Sequence, residues 1–362
     1  MGKIFYDGMG IKRNILPLTL NKKKIIALSL LGLIVISASI GALRYMNGGK
    51  IALHNDKQKA EILIPTGASF DDVCTILDVV ADYDKTKFNT LSAIMKYSEY
   101  IHAGRYEITN GMTIRSLIQL LRSGNQKPVN VTFNNVRTLP QLAGIASRHL
   151  EADSVELLAA MTDSALVTSL GYNKETFPVI FIPDTYQFMW NTSGEQWVKR
   201  MKHEYDKFWT DERKHKADSI GLTITEVSIL ASIVEEETNR RDEYPIIAGL
   251  YLNRLRKGML LQACPTLKYS LGDFSLRRIL AKDKNVESPY NTYKYLGLPP
   301  GPIRLPMSTT IDAVLNAADT EYLFMCAKPD GSGGHNFART NAEHSRNAAN
   351  YQKELNRRKI YR

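Results

Sequence analysis

Apolar residues recur at helical spacing in the second half of the chain, and this pattern ends at a carboxylate. The predicted helix begins at Thr223, whose side chain can form a capping box with Glu226. Its apolar positions on one face are Leu230, Ile233 and Val234. Glu237 continues this face, whereas the adjacent Glu235 and Glu236 are rotated from it by roughly 100–200°. The pattern therefore predicts that one of three consecutive glutamates lies against apolar neighbours.

A carboxyl group held against apolar neighbours has a raised pKa, because desolvation disfavours its anion. Such a group stays protonated near neutral pH and can act as a general acid. The alternative is a boundary glutamate that reaches water or pairs with Arg240 or Arg241, which follow closely in the sequence. Helix geometry alone leaves both interpretations of Glu237 open.

A second apolar run, near the N-terminus, has the length of a membrane span. Residues 25–43 carry no charge and directly follow three lysines, and about 20 apolar residues cross a bilayer. The lysines predict a cytoplasmic basic tail, residues 1–24, with the rest of the chain on the periplasmic or extracellular face. A cleaved signal peptide, cut among the small residues 37–39, is the alternative. We expect a single-pass anchor in the cell (inner) membrane, because the apolar run is longer than a typical signal core.

The patterns that follow predict a linker and a small α+β domain. Residues 44–60 are polar and are assigned to the linker, and residues 61–127 are assigned to the domain. Ser69 is placed to cap a helix, and Gly124 to end another. The strand–helix–helix–strand order, with the stretches PTGASF and GRYEITNGMTIRSLIQLL, resembles a LysM-like carbohydrate-binding unit. A spacer domain would show the same pattern.

The pattern of apolar and turn residues in the rest of the chain, residues 128–356, predicts a larger mixed α+β domain. Its predicted elements are helical segments between 139 and 161, an apolar strand from 178, a long amphipathic helix at 194–218, the helix from Thr223, a helix from Pro245 to Gly258, a segment at 258–272 that is extended and then helical, and a strand within 321–340. The fold class predicted for the whole chain is therefore α+β, with one N-terminal transmembrane helix and two domains.

One further segment presents side chains that suit sugar rings. Residues 288–303 are dense in Pro, Gly, Asn and Tyr, and tyrosines offer flat faces with a hydrogen-bonding tip. A rigid structural loop would have the same composition. In residues 321–340 a Gly-rich turn carries His335, which is more typical of a turn residue than of a catalyst.

Charge and cysteine content narrow the function classes. The chain has 362 residues and a formal charge of +10, and half of this excess lies in residues 1–24. The remainder is mildly basic without a nucleic-acid-binding motif, so we expect no nucleic-acid partner. Three cysteines show no metal-binding spacing and no disulfide framework. We therefore expect neither a metal nor a cofactor.

Several motifs occur together in one order: IVEEET (233–238), GLYLNRLRKGMLLQ (249–262), CPTLKY (264–269), YNTYKYLGLPPGPI (290–303) and GGHNF (333–337). In order and spacing they resemble the MltG (YceG-like) endolytic murein transglycosylases over residues 60–355. The resemblance implies that Glu237 is the catalytic acid. The candidate substrate-binding residues are Gln262, Thr266, Asn291, Tyr293, Pro299, Pro300, Gly301 and His335. Cys264 stands where the family usually has Asp, and Tyr244 where it commonly has Arg, so any role of those two side chains is in doubt here.

The resemblance implies cleavage of the β-1,4 bond between N-acetylmuramic acid and N-acetylglucosamine in nascent peptidoglycan strands, with a 1,6-anhydromuramyl product that terminates the strand. It also implies peptidoglycan synthases of elongation or division as partners. The residues themselves leave alternatives open. A hydrolytic muramidase would need a second carboxylate, and none is evident in the sequence. A membrane-tethered cell-wall-binding scaffold would need no catalytic residue, and a transporter's substrate-binding subunit would need a partner motif that is not found.

Overall fold

The computed structural model describes residues 22–276 and 279–358. The chain divides between Asn125 and Gln126 into two compact units, each with its own hydrophobic core. Most of the predicted cytoplasmic tail, residues 1–21, lies outside the described residues.

Helix α1, Lys22–Asn47, contains the predicted membrane span. It is long and apolar enough to cross a membrane, and none of its residues is buried within the protein. Its apolar side chains are therefore available to a lipid phase, as a single-pass anchor requires. The helix extends four residues beyond the predicted end at Leu43.

The remainder of the N-terminal unit is a small α+β domain. Its elements are β1 (Ala52–Leu53), β2 (Lys59–Ile64), α2 (Phe70–Val80), β3 (Ala81–Asp82), α3 (Lys85–Ile94), β4 (Gly104–Thr109) and α4 (Ile114–Ser123). Strands β1 and β3 pair antiparallel, and so do β2 and β4, with Ile62 opposite Tyr106. Both of these side chains are fully buried between the sheet and the helices. The predicted strand–helix–helix–strand order is present, and the likeness to a LysM unit stays a prediction.

The helix ends of this unit follow the signals in the sequence. Ser69 and Asp72 form a capping box at the start of α2. Gly124 ends α4 with φ of 67°, in the left-handed region that glycine adopts without a steric penalty.

The assignment of residues 44–60 to a polar linker is wrong. The first part of this stretch continues α1, and the last part is already β2. Between them, Ile51 and Leu53 are buried in the core of the N-terminal unit. The apolar residues at 51–53 were too few to show a periodicity, so only the antiparallel partner β3 reveals their place in the fold.

The C-terminal unit is mainly helical, with two small antiparallel sheets. Its elements are β5 (Val129–Thr132), α5 (Leu139–Ala146), α6 (Ser154–Thr162), α7 (Ser164–Ser169), β6 (Thr185–Phe188), α8 (Gly194–Phe208), α9 (Asp211–Ser219), α10 (Ile224–Glu237), α11 (Tyr244–Arg256), α12 (Cys264–Leu271), α13 (Ser308–Leu315), β7 (Phe324–Ala327), β8 (His335–Ala338) and α14 (Asn341–Arg357). Strand β5 pairs with β6, and β7 with β8. The chain is thus a mixed α+β protein with one apolar N-terminal helix.

Two predicted elements of this unit differ from the observed ones. The long helix at 194–218 is two helices, because Trp209 is buried in a non-helical conformation and Thr210 caps α9. The apolar strand predicted from residue 178 is instead a 3-10 turn, Phe177–Ile180, with a proline near its start. Strand β6 follows it. A short apolar run is compatible with a strand or with a buried turn, and periodicity cannot distinguish them.

Helix α10 is the central helix of the C-terminal unit. Every residue from Val227 to Glu235 is buried, so the helix is enclosed on all sides rather than along one stripe. It packs against α11, α12 and α13. Glu237 is its last residue, and this position brings the carboxyl group out of the core at the edge of a cavity.

Candidate active site

A cavity of about 520 Å³ opens at the C-terminal end of α10. Its lining comes from α10, α11, α12, the loop before α13, the β7–β8 hairpin and α14. The lining residues are Glu237, Leu250, Tyr251, Arg254, Leu261, Gln262, Cys264, Lys284, Tyr293, Met325, Cys326, Ala327, His335 and His344. Glu237 is the only carboxylate among them. The cavity therefore combines one acid with several tyrosine, histidine and basic side chains.

The Glu237 carboxyl is held by Tyr251 of the neighbouring helix α11. The Tyr251 hydroxyl donates a hydrogen bond of 2.5 Å to Oε1 of Glu237. Burial raises the pKa of Glu237, and this hydrogen bond and the nearby His335 oppose the rise. Burial also raises the pKa of Tyr251, so its hydroxyl keeps its proton. Glu237 is thus an oriented carboxyl group whose pKa lies above its ordinary value.

The two preceding glutamates have different partners and point away from the cavity. Arg304 forms ion pairs of 2.9 Å with Glu235 and 2.8 Å with Glu236. Glu235 also accepts hydrogen bonds from the Met307 backbone N–H and the Thr310 hydroxyl. Glu235, not Glu237, is the glutamate with a side chain only 3% exposed. Helix spacing therefore selected the glutamate that lines the cavity, which is not the most buried carboxylate of the three.

A second carboxylate, Glu243, lies behind the cavity lining. Its Oε2 is 2.8 Å from Nδ1 of His335, and its Oε1 accepts a 2.8 Å hydrogen bond from the His335 backbone N–H. Both oxygens of Glu243 are therefore used to fix the start of β8. A Cβ at Gly334 would lie 3.0 Å from Oε1 of Glu243, so a side chain there would have to displace this carboxyl group slightly. This arrangement orients the His335 ring at the cavity.

The opposite side of the cavity comes from the segment between α11 and α12 and from the loop at 284–293. Gln262 adopts a left-handed backbone conformation with φ of 53°, and its N–H donates to the Thr292 carbonyl. The Tyr293 hydroxyl lies 3.1 Å from the Cys264 sulfur. These contacts join the start of α12 to the loop, so Gln262 and Tyr293 lie on one side of the cavity.

Four predicted site residues come together on this cavity: Glu237, Gln262, Tyr293 and His335. Two others are fully buried beneath it. The Thr266 hydroxyl donates to the Ala263 carbonyl. Asn291 donates to the Lys284 and Val286 carbonyls and accepts from the Tyr293 N–H. Thr266 and Asn291 therefore shape the loop that carries the cavity side chains and do not line the cavity themselves.

Pro299, Pro300 and Gly301 also lie outside the cavity lining. Gly301 is buried, and a Cβ at this position would lie 2.0 Å from the Glu175 carbonyl oxygen. The close backbone approach explains the glycine at this position through packing. A role of these three residues in substrate binding stays a prediction.

The sequence did not identify three side chains of the cavity: Tyr251, Arg254 and Lys284. Tyr251 and Arg254 lie in the quoted motif GLYLNRLRKGMLLQ, one helical turn apart, so their shared face was a usable signal. Lys284 carried no signal, because it belongs to a loop whose path depends on Asn291. Within the described residues, no group of three or more His, Cys, Asp and Glu side chains could hold a metal ion.

Comparison with known proteins places this geometry in a family. The model of the YceG-like family matches residues 62–350, which is most of the chain. The chain belongs to the YceG-like family. The predicted family is therefore confirmed, and the match includes both the small α+β domain and the helix that carries Glu237.

The related proteins that match this chain carry consistent names. An endolytic murein transglycosylase of Bacillus subtilis is 29% identical to this YceG-like chain over 319 residues, which cover 82% of this chain and 86% of the relative. An endolytic murein transglycosylase of Streptococcus pneumoniae is 27% identical, and the alignment covers 82% of this chain and 59% of that longer protein. The crystal structure of a putative yceG-like protein of Listeria monocytogenes superposes with a TM-score of 0.53 at 26% identity, over 80% of this chain and 98% of that one. The relatives are thus curated as lytic transglycosylases, the enzyme class that the sequence predicted.

Proposed function

We propose that this YceG-like chain is a membrane-anchored endolytic peptidoglycan transglycosylase with Glu237 as its catalytic acid and base. The observation that carries the proposal is the position of Glu237, which is the only carboxylate in the lining of the cavity and has a raised pKa. The curated relatives, named as endolytic murein transglycosylases, support the reaction class.

The proposed reaction cleaves the bond between C1 of N-acetylmuramic acid and O4 of N-acetylglucosamine. Glu237 donates its proton to the glycosidic oxygen, the C1–O bond breaks, and the N-acetylglucosamine end leaves as an alcohol. The C6 hydroxyl of the same muramyl residue then attacks C1 and gives its proton to the Glu237 carboxylate. The product is a 1,6-anhydromuramyl end, no water is consumed, and Glu237 regains its proton.

A single acid suffices for this route because the substrate supplies the nucleophile. Hydrolytic glycosidases use two carboxyl groups that face the same bond. Glu243 is the other carboxylate near the cavity, but both of its oxygens are engaged by His335. Glu235 and Glu236 are engaged by Arg304. The arrangement therefore favours the transglycosylase over a hydrolytic muramidase.

The test is digestion of purified peptidoglycan by the full-length chain in detergent, with the wild type beside Glu237→Gln, read by mass spectrometry. We expect anhydromuramyl-ended fragments from the wild type and a loss of about 10²–10⁴-fold in rate for Glu237→Gln, the usual contribution of a general acid. Glu235→Gln is not a suitable control because it disturbs a buried ion pair. Glu226→Gln, at the other end of α10, tests for a loss of helix stability instead.

The other outcomes separate the alternatives. Hydrated reducing ends would identify a hydrolase and would require a second carboxylate or an activated water. The absence of fragments from both nascent and mature glycan, with binding retained, would favour a non-enzymatic scaffold that binds the cell wall.

The proposed membrane anchor would determine where the reaction takes place. We propose that α1 crosses the cell membrane once, with the basic N-terminus in the cytoplasm and the cavity on the outer side, because the lysines at 22–24 precede the span. A chain held at the membrane meets glycan strands as they are made, so cleavage would limit strand length. Peptidoglycan synthases of elongation and division are the partners that such a role implies.

A further inference from the structure

Arg254 is a buried cation without an anionic partner. The residue is only 7% exposed. Its Nε donates to the Leu323 carbonyl at 2.6 Å, and its Nη1 donates to the Leu260 and Leu261 carbonyls. Within the described residues no carboxylate pairs with it, and its Nη2 has no hydrogen-bond partner. The guanidinium lines the cavity that contains Glu237.

Lys284, an exposed residue, brings a second positive charge to the same cavity. Its ammonium group lies 5.1 Å from the centre of the Tyr293 ring. No carboxylate in the part of the chain that the structure describes lies within ion-pair distance of it. Two hydrogen bonds from Asn291, to the carbonyls of Lys284 and Val286, hold the backbone of this segment in place. The lysine is therefore presented on a fixed loop.

The cavity thus carries net positive charge. Its lining holds two cations, Arg254 and Lys284, and one carboxyl group, Glu237, and burial together with Arg254 lowers the pKa of His344. A buried charge without a partner is costly, and proteins normally pair it. Arg254, the Tyr293 hydroxyl and Lys284 together suit an oxyanion, since guanidinium and ammonium groups form strong charge-assisted hydrogen bonds with carboxylates and phosphates.

We propose that Arg254 and Lys284 form an anion subsite that binds a carboxylate or phosphate group carried by the glycan strand next to the bond that is cleaved. The inference rests on the proposed function and adds a substrate class to it. The muramyl residue is the natural source of a carboxylate, because the peptide attached to it ends in one. The subsite would therefore select strands whose peptides carry free carboxylates over strands whose peptides are amidated at those positions.

The test measures equilibrium binding, so that it does not depend on turnover. The full-length Glu237→Gln chain in detergent is titrated with one defined glycan oligosaccharide in three forms: with its peptides, with the carboxyl groups of those peptides converted to amides, and with its peptides and a lipid diphosphate at the reducing end. Each titration is repeated with Lys284→Gln and with Arg254→Gln in the same background. Lys282→Gln is the matched control, because Lys282 belongs to the same 3-10 segment, Ala281–Asn285, but lies outside the cavity lining.

We expect the form with free carboxylates to bind about tenfold more tightly than the amidated form, with the difference reduced by added salt. Lys284→Gln should remove most of this difference, and Lys282→Gln should leave it intact. Arg254→Gln should remove it too, but this variant also loses three hydrogen bonds to backbone carbonyls. Lys284→Gln therefore keeps the test valid if Arg254→Gln does not fold.

A preference that appears only with the diphosphate form, and that Lys284→Gln removes, would assign the same subsite to a phosphate. Equal affinities for all three forms, or a preference unchanged by Lys284→Gln, would overturn the subsite. Cleavage of all three forms by the wild-type chain would then still support the proposed function. Binding governed by Lys284 without any cleavage would contradict the function and keep the subsite.

Discussion

At the scale of single residues, the pKa of Glu237 is set by opposing contacts. Burial raises it, and the hydrogen bond from Tyr251 acts against that rise. The hydrogen bond from Tyr251 stabilises the carboxylate more than the neutral acid, because a charged oxygen accepts a stronger hydrogen bond than a neutral one. Tyr251 therefore has two effects: it orients the acid and limits how strongly the acid retains its proton.

We predict that Tyr251→Phe moves the alkaline limb of the pH–rate profile to higher pH. Without the hydroxyl, the pKa of Glu237 rises further, so the group stays protonated and competent as an acid at pH values where the wild type has lost its proton. The measurement is kcat/KM against pH on purified peptidoglycan. Tyr186→Phe is the matched control, because it removes a 2.7 Å hydrogen bond to the Ile182 carbonyl and does not touch the cavity. An unchanged or acid-shifted limb would contradict the assignment of Glu237 as the acid.

At the scale of elements, the end of α10 is held by a loop that follows it by more than sixty residues. Arg304 pairs with two consecutive glutamates of α10, and the Met307 N–H and Thr310 hydroxyl complete the contacts of Glu235. Since Glu237 is next in the chain, these contacts fix its direction. The segment that directly follows residues 288–303 thus acts here on the helix that carries Glu237.

We predict that Arg304→Met lowers the free energy of unfolding by about 3–5 kcal/mol, because it leaves a carboxylate buried without its cation. It should also move the alkaline limb to higher pH, since Glu236 would keep its ion pair with Arg137 but lose that with Arg304, and its charge raises the pKa of Glu237. Urea unfolding and the pH–rate profile are the measurements. The control is Arg213→Met, whose ion pair with Asp312 is considerably more exposed and should cost about 1 kcal/mol or less. Equal losses for the two variants would show that the buried pair has no special role.

The same loop depends on a close backbone contact at Gly301. We predict that Gly301→Ala costs about 1–3 kcal/mol, because its Cβ would lie 2.0 Å from the Glu175 carbonyl oxygen and the loop would have to move. Gly144→Ala is the matched control, since it lies within α5 and its Cβ would meet no atom within 4 Å. That change should be neutral or stabilising by up to about 1 kcal/mol. Thermal unfolding distinguishes the two, and a neutral Gly301→Ala would mean that the contact is not tight in solution.

At the scale of the whole molecule, helix α1 is long and apolar enough to cross a membrane. None of its residues is buried, so the described part of the chain leaves its apolar surface uncovered. We predict that Ile34→Arg, at the middle of the helix, lowers membrane insertion by about 3 kcal/mol. Leu43→Arg, near the end, should cost far less because its side chain can reach the interface. Glycosylation-site mapping of the inserted fraction measures both, and equal effects would argue against a span.

The sequence predicted those parts of the molecule that depend on local pattern. Glu237 was found because helix spacing and the family motif both select it, and Ser69 and Gly124 were found because caps are local. The break at Trp209 was missed, since a buried tryptophan that leaves the helix is a consequence of tertiary packing. Arg254 and Lys284 were missed for the same reason, because they become neighbours only when α11 and the loop at 284–293 meet at one cavity.

The position of Glu237 as the last residue of α10 has one more consequence. The aligned peptide dipoles of a helix place partial negative charge at its C-terminal end, which disfavours an anion there. In the proposed cycle the carboxylate form of Glu237 exists only after the proton has been given to the leaving sugar. The helix end makes this form a short-lived one that readily takes a proton back from the C6 hydroxyl. After each cleavage Glu237 would therefore already carry the proton that the next cleavage needs.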